Sequence, residues 1–137
     1  MWIRCSVRLG VLIVGLTGAA WANAQNAASI ASQYAAAAKQ QSPAFAGFAA
    51  ERGKQLFNST HGTEWSCASC HTQNPLQSGR HARTSKEIAP LAPAANRWRF
   101  TSLDKADKWF KRNCNDVLGR ECTLAEKGDV LTYLLGL

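Results

Sequence analysis

The residues with the clearest chemical potential in this chain of 137 amino acids are the cysteines and the histidine of the run Cys67–His71, with sequence CASCH. This is the spacing at which c-type haem is attached, because the two thiols add to the vinyl groups and the histidine lies under the iron. A redox dithiol would lie in a βαβ unit, and a zinc site would need a second ligand pair at suitable spacing. The pattern favours neither, since Cys114 and Cys122 lie far downstream and are eight positions apart. We therefore predict one covalent haem c, attached at Cys67 and Cys70, with His71 as the proximal ligand.

The motif does not say which group binds the iron on its other side. Most electron-carrying cytochromes c use a methionine thioether there. The only methionine here is Met1, which we expect to be removed with an export signal. The remaining candidates are His61, His81, a lysine, an asparagine or an empty position.

One asparagine lies on the apolar face of a helix predicted over residues 102–114. On a wheel of about 100° per residue, Asn113 lies about 40° from Trp109 and inside the apolar arc, whereas Asn115 lies about 240° away among lysines. A buried amide needs a partner. The wheel alone does not distinguish an iron atom from a backbone group as that partner.

The first 24 residues have the composition of a removable signal peptide. Arg4 and Arg8 precede an apolar run of about 12 residues, short of the roughly 20 that a membrane span needs, and Ala22–Ala24 is a typical cleavage signal. We expect export to the periplasm, cleavage after Ala24 and no permanent membrane anchor. Loss of the two arginines lowers the net charge from +7 to +5, a balance that suits an acidic partner protein. The sequence has no series of interleaved basic and aromatic residues of the kind that would indicate nucleic-acid binding.

Export also bears on the two downstream cysteines, because spare thiols in an oxidising compartment tend to pair. A bond between Cys114 and Cys122 would close a short loop. It would connect the end of one predicted helix to the start of the next.

The elements that must position these residues are helical. We predict an N-terminal helix or a weakly ordered arm over residues 25–49 and the haem domain over residues 50–137. Further helices are expected at about residues 44–58, at 102–114 with Ser102 as N-cap, and from the capping box Thr123–Glu126 to about Leu135. Gly53 inside the first of these marks a close crossing by another element. Residues 72–101 lack periodicity and are predicted to wrap the haem as a long loop.

Four stretches of the sequence resemble known families. They are Arg52–Phe57 before the haem motif, and Thr84–Pro93, Lys108–Cys114 and Gly119–Lys127 after it. The first resembles the leading helix of class I cytochromes c, which would cross the C-terminal helix at Tyr133 and Leu134. The other three resemble the sphaeroides haem protein family. Over roughly residues 50–137, this resemblance implies an all-α class I cytochrome c fold with a single haem.

The resemblance further implies that His71 and Asn113 are the axial ligands and that Cys114 and Cys122 form a disulfide. It implies a dihaem cytochrome c as redox partner, and binding of oxygen or nitric oxide at the reduced haem. An amide oxygen is a hard, weak ligand that suits ferric iron better than ferrous iron. We therefore expect a periplasmic electron-transfer protein whose distal site opens on reduction.

Two other functions remain open from the residues. A haem enzyme that reduces oxygen or consumes nitric oxide would need acid/base residues near the iron, and His61 and His81 are the candidates at neutral pH. A gas sensor would normally need an output domain, for which the chain has no room.

Overall fold

The computed structural model describes the backbone of residues 18–137 and the side chains from residue 26 onward. Its helices are α1 (Gly18–Gln41), α2 (Ala50–Asn58), α3 (Cys67–His71), α4 (Leu103–Leu118) and α5 (Leu124–Leu135). Two short strands, β1 (Gly79–Arg80) and β2 (Glu87–Ile88), pair antiparallel between α3 and α4. The predicted all-α fold is confirmed.

The expected signal peptide lies largely outside the described residues, which begin at residue 18. Residues 18–24 form the first turns of α1. The rest of α1 is a regular helix whose buried positions are Ala27, Ile30, Tyr34 and Ala38. This spacing of three or four residues produces one apolar stripe, and the stripe faces α5. Within residues 18–137 no helix has the length and apolar character that a membrane span requires.

The crossing of α2 and α5 is the centre of the fold. A Cβ atom on Gly53 would overlap the backbone carbonyl of Asp129, so that only glycine permits the observed approach. Next to the crossing, the buried ring of Phe57 packs against Tyr133 with a centroid distance of 5.7 Å. The close crossing expected at Gly53 is therefore present.

The predicted start of α2 near residue 44 is wrong. The helix begins at Ala50, because Gly47 has a φ of 105°, which lies outside the right-handed helical region. Residues 42–49 instead cross towards α5, where the backbone N–H of Ala49 donates to the Asp129 carboxylate at 2.7 Å.

Helix α4 is longer than the sequence predicts. Its predicted N-cap is present, since the Ser102 hydroxyl accepts the N–H of Lys105 at 3.4 Å. The helix continues beyond Cys114 to Leu118 and ends at Gly119, whose φ of 68° is typical of a C-terminal glycine cap. Asn113 therefore lies inside the helix, with about one turn after it.

The predicted long loop connects α3 to α4 and contains the strand pair. It is held together by its own backbone, since the N–H groups of Leu91 and Ala92 both donate to the Pro75 carbonyl at 3.0 Å. Asn96 also donates to the Pro90 carbonyl through its side chain, at 3.1 Å. These bonds fold the loop back along one side of a cavity between α3 and α4.

Candidate functional site

Helix α3 places both motif cysteines on one face of a single turn. A reciprocal capping box starts the helix: Ser69 donates its backbone N–H to the Ser66 hydroxyl at 3.2 Å, and Ser66 donates its own to the Ser69 hydroxyl at 3.0 Å. Residues three apart on a helix share a face. The serine pair that surrounds Cys67 therefore fixes the direction in which Cys67 and Cys70 project.

The strand pair packs directly against this turn. A Cβ on Gly79 would overlap the Cys70 carbonyl, so a glycine is needed for β1 to come this close. Just after β1, the backbone N–H of Ala82 donates to the Cys70 sulfur at 3.3 Å. The loop thus fixes the second cysteine of the motif from outside.

A cavity of about 490 Å³ adjoins α3. Its lining includes all four predicted haem-site residues, Cys67, Cys70, His71 and Asn113. The walls are mostly apolar, with aromatic or aliphatic side chains from α2, the loop, α4 and α5, namely Leu56, Phe57, Ile88, Leu91, Phe100, Trp109, Phe110, Val117, Val130 and Leu134. Apolar walls with a few polar groups are typical of a cofactor site.

The protonation states in the cavity fit haem better than a redox dithiol. Burial, reinforced by the positive charge of Arg99, lowers the pKa of His71 to about 4. The imidazole is therefore neutral at pH 7 and has a lone pair for iron. Burial raises the pKa of Cys67 to about 11, whereas a redox dithiol depends on a lowered thiol pKa. Both motif cysteines are free of a disulfide.

Asn113 and Asn115 differ in the way that the helical wheel predicts. Its side chain is half-buried at the cavity wall. Among the side chains described from residue 26 onward, no hydrogen bond uses the Asn113 amide. Asn115 is exposed and donates to the Lys111 carbonyl at 2.7 Å. Of the two, only Asn113 has an amide that faces the cavity and is available to a ligand.

A disulfide joins Cys114 to Cys122, with the two Cα atoms 5.6 Å apart. Cys114 directly follows Asn113 on α4, and Cys122 lies two residues before α5 begins. The bond therefore connects the last turns of α4 to the N-terminus of α5.

The two candidate histidines are in different places. His61 is exposed, approaches the Leu56 carbonyl with Nε2 at 3.0 Å, and lines a separate surface pocket beside α2. His81 lines the haem cavity. Its Nδ1 accepts the backbone N–H groups of Arg83 and Thr84, both at 3.3 Å.

Arg99 is a site residue that sequence reasoning did not single out among the basic residues of the loop. It lines the cavity and donates from Nε to the Pro90 carbonyl at 3.0 Å and from Nη2 to the Ala89 carbonyl at 2.7 Å. Burial lowers its pKa, and no carboxylate pairs with it among residues 26–137. Only the path of the loop, which has no periodicity, reveals this placement.

Comparison with known proteins also indicates a c-type cytochrome. Residues 43–134 match the family model described as a domain of unknown function, DUF1924. The chain is 43% identical over 131 residues to the cytochrome c-type protein SHP of Cereibacter sphaeroides, covering 93% of this chain and 96% of that protein. It is 40% identical over 120 residues to cytochrome c'' of Methylophilus methylotrophus, covering 85% and 83% respectively.

Solved structures of both relatives superpose on this structure. Oxidised cytochrome c'' gives a TM-score of 0.75 at 40% identity, covering 82% of this chain and 94% of that one. Oxidised SHP, described as an oxygen-binding cytochrome c, gives 0.71 at 43% identity, covering 81% and 96%. A solution structure of cytochrome c'', presented as insight into haem-ligand detachment, gives 0.73 at 38% identity, covering 82% and 94%. The chain therefore belongs to the family of haem-containing c-type cytochromes that includes SHP and cytochrome c''.

Proposed function

We propose that this cytochrome is a periplasmic mono-haem electron-transfer protein whose Asn113 ligand leaves on reduction, so that oxygen or nitric oxide can bind. The observation that carries the proposal is the common cavity of Cys67, Cys70, His71 and Asn113. When bound there, haem supplies one-electron transfer and an iron site for small diatomic ligands.

The chain's own residues have distinct roles in this proposal. Cys67 and Cys70 would hold the haem through thioether bonds, and the half-buried neutral imidazole of His71 would provide the proximal nitrogen. The Asn113 amide oxygen would be a second protein ligand for ferric iron. Because this oxygen is a hard and weak donor, it would suit ferrous iron less well, and Asn113 would then be free to leave. By similarity, the oxygen binding described for SHP supports small-ligand binding, and the ligand detachment described for cytochrome c'' supports a haem ligand that can leave.

His81 and Lys105 are the other cavity-lining side chains with a nitrogen that could bind iron. His81 adjoins Ala82, whose N–H contacts the Cys70 sulfur. This contact supports a place for His81 near the attached edge of the haem, beside the motif rather than across from His71. Lys105 is exposed and would lose its hydration on binding. These two positions favour Asn113 as the distal ligand.

Optical spectra of the wild type and Asn113→Ala test the assignment. We expect the ferric mutant to become five-coordinate or water-ligated, while the ferrous carbon monoxide complex forms as in the wild type. Asn115→Ala is the matched control, since it removes an exposed amide two positions away and should keep the wild-type ferric spectrum. An Asn113→Ala protein with an unchanged ferric spectrum would contradict the proposal.

The export part of the proposal depends on residues 1–24. The composition of this segment, with two arginines before a short apolar run and Ala22–Ala24 at its end, supports cleavage after Ala24. Mass spectrometry of the protein from a periplasmic extract tests it, with Gln25 expected as the first residue.

The presence of His81 in the cavity favours a second candidate, an enzyme that reduces oxygen or consumes nitric oxide. A histidine in this position could transfer a proton during such a reaction. Catalytic turnover of either gas by the reduced wild type, lost in His81→Gln with the spectrum unchanged, would support the enzyme over the electron-transfer protein.

A further inference from the structure

Helix α1 contacts the helix that carries Asn113 through one shared carboxylate. Tyr34, only 2% exposed, donates its hydroxyl to Oδ1 of Asp107 at 2.9 Å. Lys127 donates from Nζ to the same oxygen at 2.7 Å. Tyr34 belongs to α1, Asp107 to α4 and Lys127 to α5, so these three helices meet at a single oxygen atom. We call these three residues the Asp107 network.

The same tyrosine supports α4 from behind. Its ring meets Phe110 edge-on, with centroids 6.2 Å apart, and Phe110 lines the haem cavity. Phe110 lies three residues before Asn113 and therefore on the same side of α4. A displacement of α4 relative to α1 would carry both side chains with it.

Asn113 lies between two attachments of α4. The Asp107 network holds the helix about two turns before the Cys114–Cys122 disulfide. Between these points α4 borders the cavity, where a haem-bound Asn113 would have to detach. Movement of α4 in this region is opposed by covalent attachment on one side and by hydrogen bonds on the other.

We infer that Tyr34 and Asp107 are positioning residues that set how readily Asn113 leaves the iron. The inference rests on the proposed Asn113 ligation. Tyr34→Phe keeps the ring against Phe110 but leaves Asp107 bonded to Lys127 alone among the residues described. The helix then becomes freer to move away from the cavity, and Asn113 should detach faster.

The experiment measures the binding of imidazole to the ferric holoprotein by stopped flow. At saturating imidazole, the rate is limited by the departure of the distal ligand. We expect Tyr34→Phe and Asp107→Asn to raise this limiting rate about threefold to tenfold, which lies within the usual range when a residue outside a site modulates coupling. Tyr133→Phe is the matched control, because Tyr133 is the other tyrosine of the chain, is 8% exposed and packs against Phe57 instead. It should leave the rate unchanged.

The same substitutions in an Asn113→Ala background separate positioning from general loosening. If Tyr34 acts through Asn113, Tyr34→Phe should have no effect on imidazole binding there. An equal acceleration with and without Asn113 would overturn the inference, as would a Tyr34→Phe rate equal to that of Tyr133→Phe. An unchanged ferric spectrum in Asn113→Ala alone would overturn the inference together with the proposed ligand, and it identifies the ligand assignment as the point of failure.

Discussion

Cys67 and Cys70 are oriented by short-range backbone interactions. The capping box between Ser66 and Ser69 starts α3, and the Ala82 N–H contacts the Cys70 sulfur. Together these contacts direct both thiols into the cavity.

Removal of both thiols should abolish covalent attachment. We expect the Cys67→Ala, Cys70→Ala double variant to lose haem on a denaturing gel stained for haem peroxidase activity, because thioether bonds alone resist denaturation. Ala68→Ser is the matched control, since Ala68 also lies between the cysteines but takes no part in the capping box, and the variant should retain stained haem. Full covalent occupancy in the double variant would contradict the predicted attachment.

At the scale of the elements, α2 packs on α5 and also contacts α3. The crossing at Gly53 brings the two backbones into direct contact. Arg52 and Asp129 fasten it, with Nε and Oδ2 2.7 Å apart, and buried Phe57 continues towards His71 with a ring-centroid distance of 6.4 Å. The crossing therefore supports the proximal wall of the cavity.

Gly53→Ala should destabilise the protein strongly. The added methyl group meets the backbone carbonyl of Asp129, which cannot rotate away as a side chain could. We expect the free energy of unfolding to fall by about 3 kcal/mol, the upper part of the usual range for overpacking. Lys54→Ala, at the exposed neighbouring position of α2, should change it by less than about 0.5 kcal/mol. Urea titration of both variants gives the comparison, and similar values would be evidence against a tight crossing.

The disulfide between Cys114 and Cys122 connects α4 to α5. We expect the Cys114→Ser, Cys122→Ser variant to lose about 2–3 kcal/mol of unfolding free energy, because the unfolded chain gains the freedom of an open loop. A reductant should lower the urea midpoint of the wild type towards that of the variant and leave the variant unchanged. A wild-type urea midpoint that stays the same with reductant would show that the bond adds nothing to stability.

At the scale of the whole molecule, α5 separates two buried clusters. One is formed by Ile30, Tyr34, Ala106 and Leu131, and the other by Phe57, Val130, Tyr133 and Leu134. Phe100 and Phe110 pack against both clusters from the cavity side. The apolar interior is thus continuous around the cavity. The cavity itself is open to solvent on one face.

That open face is basic and carries exposed tryptophans. Trp98 is 70% exposed and Trp109 54% exposed, with Arg97 and Arg112 stacked on their respective rings at 4.7 and 5.8 Å. Tryptophan and arginine are the residues that contribute most at protein interfaces. An acidic redox partner, which we propose to be a dihaem cytochrome c, would match this surface in charge.

Electron exchange with such a partner should slow as ionic strength rises. Lys105 and Lys108 are exposed on α4, whereas Lys111 is neutralised locally by Glu121 at 2.8 Å. The Lys105→Gln, Lys108→Gln variant should react more slowly than the wild type at low salt and converge with it at high salt, because screening removes the attraction. Lys39→Gln on α1, which does not line the cavity, is the control. A wild-type rate that is independent of salt would contradict electrostatic docking.

The local sequence was sufficient to predict the helical class, the capping of α4 and α5 and the haem motif. Each depends on residues within a few positions of one another, where backbone preference and hydrogen-bonding groups act directly. The helical wheel of α4 placed Asn113 on the apolar face for the same reason, and the folded chain brings that face to the cavity wall. The sequence did not indicate that α2 begins only at Ala50, since Gly47 is compatible with several backbone paths.

Contacts between distant positions required the folded chain. The selection of Arg99 among the basic residues, the entry of His81 into the cavity and the meeting of Tyr34 with Asp107 involve segments joined by long stretches of chain. The loop of residues 72–102 has no periodicity from which its path could be read. Its course depends on backbone bonds such as those from Leu91 and Ala92 to the Pro75 carbonyl, which join positions 16 and 17 residues apart and therefore exist only in the folded chain.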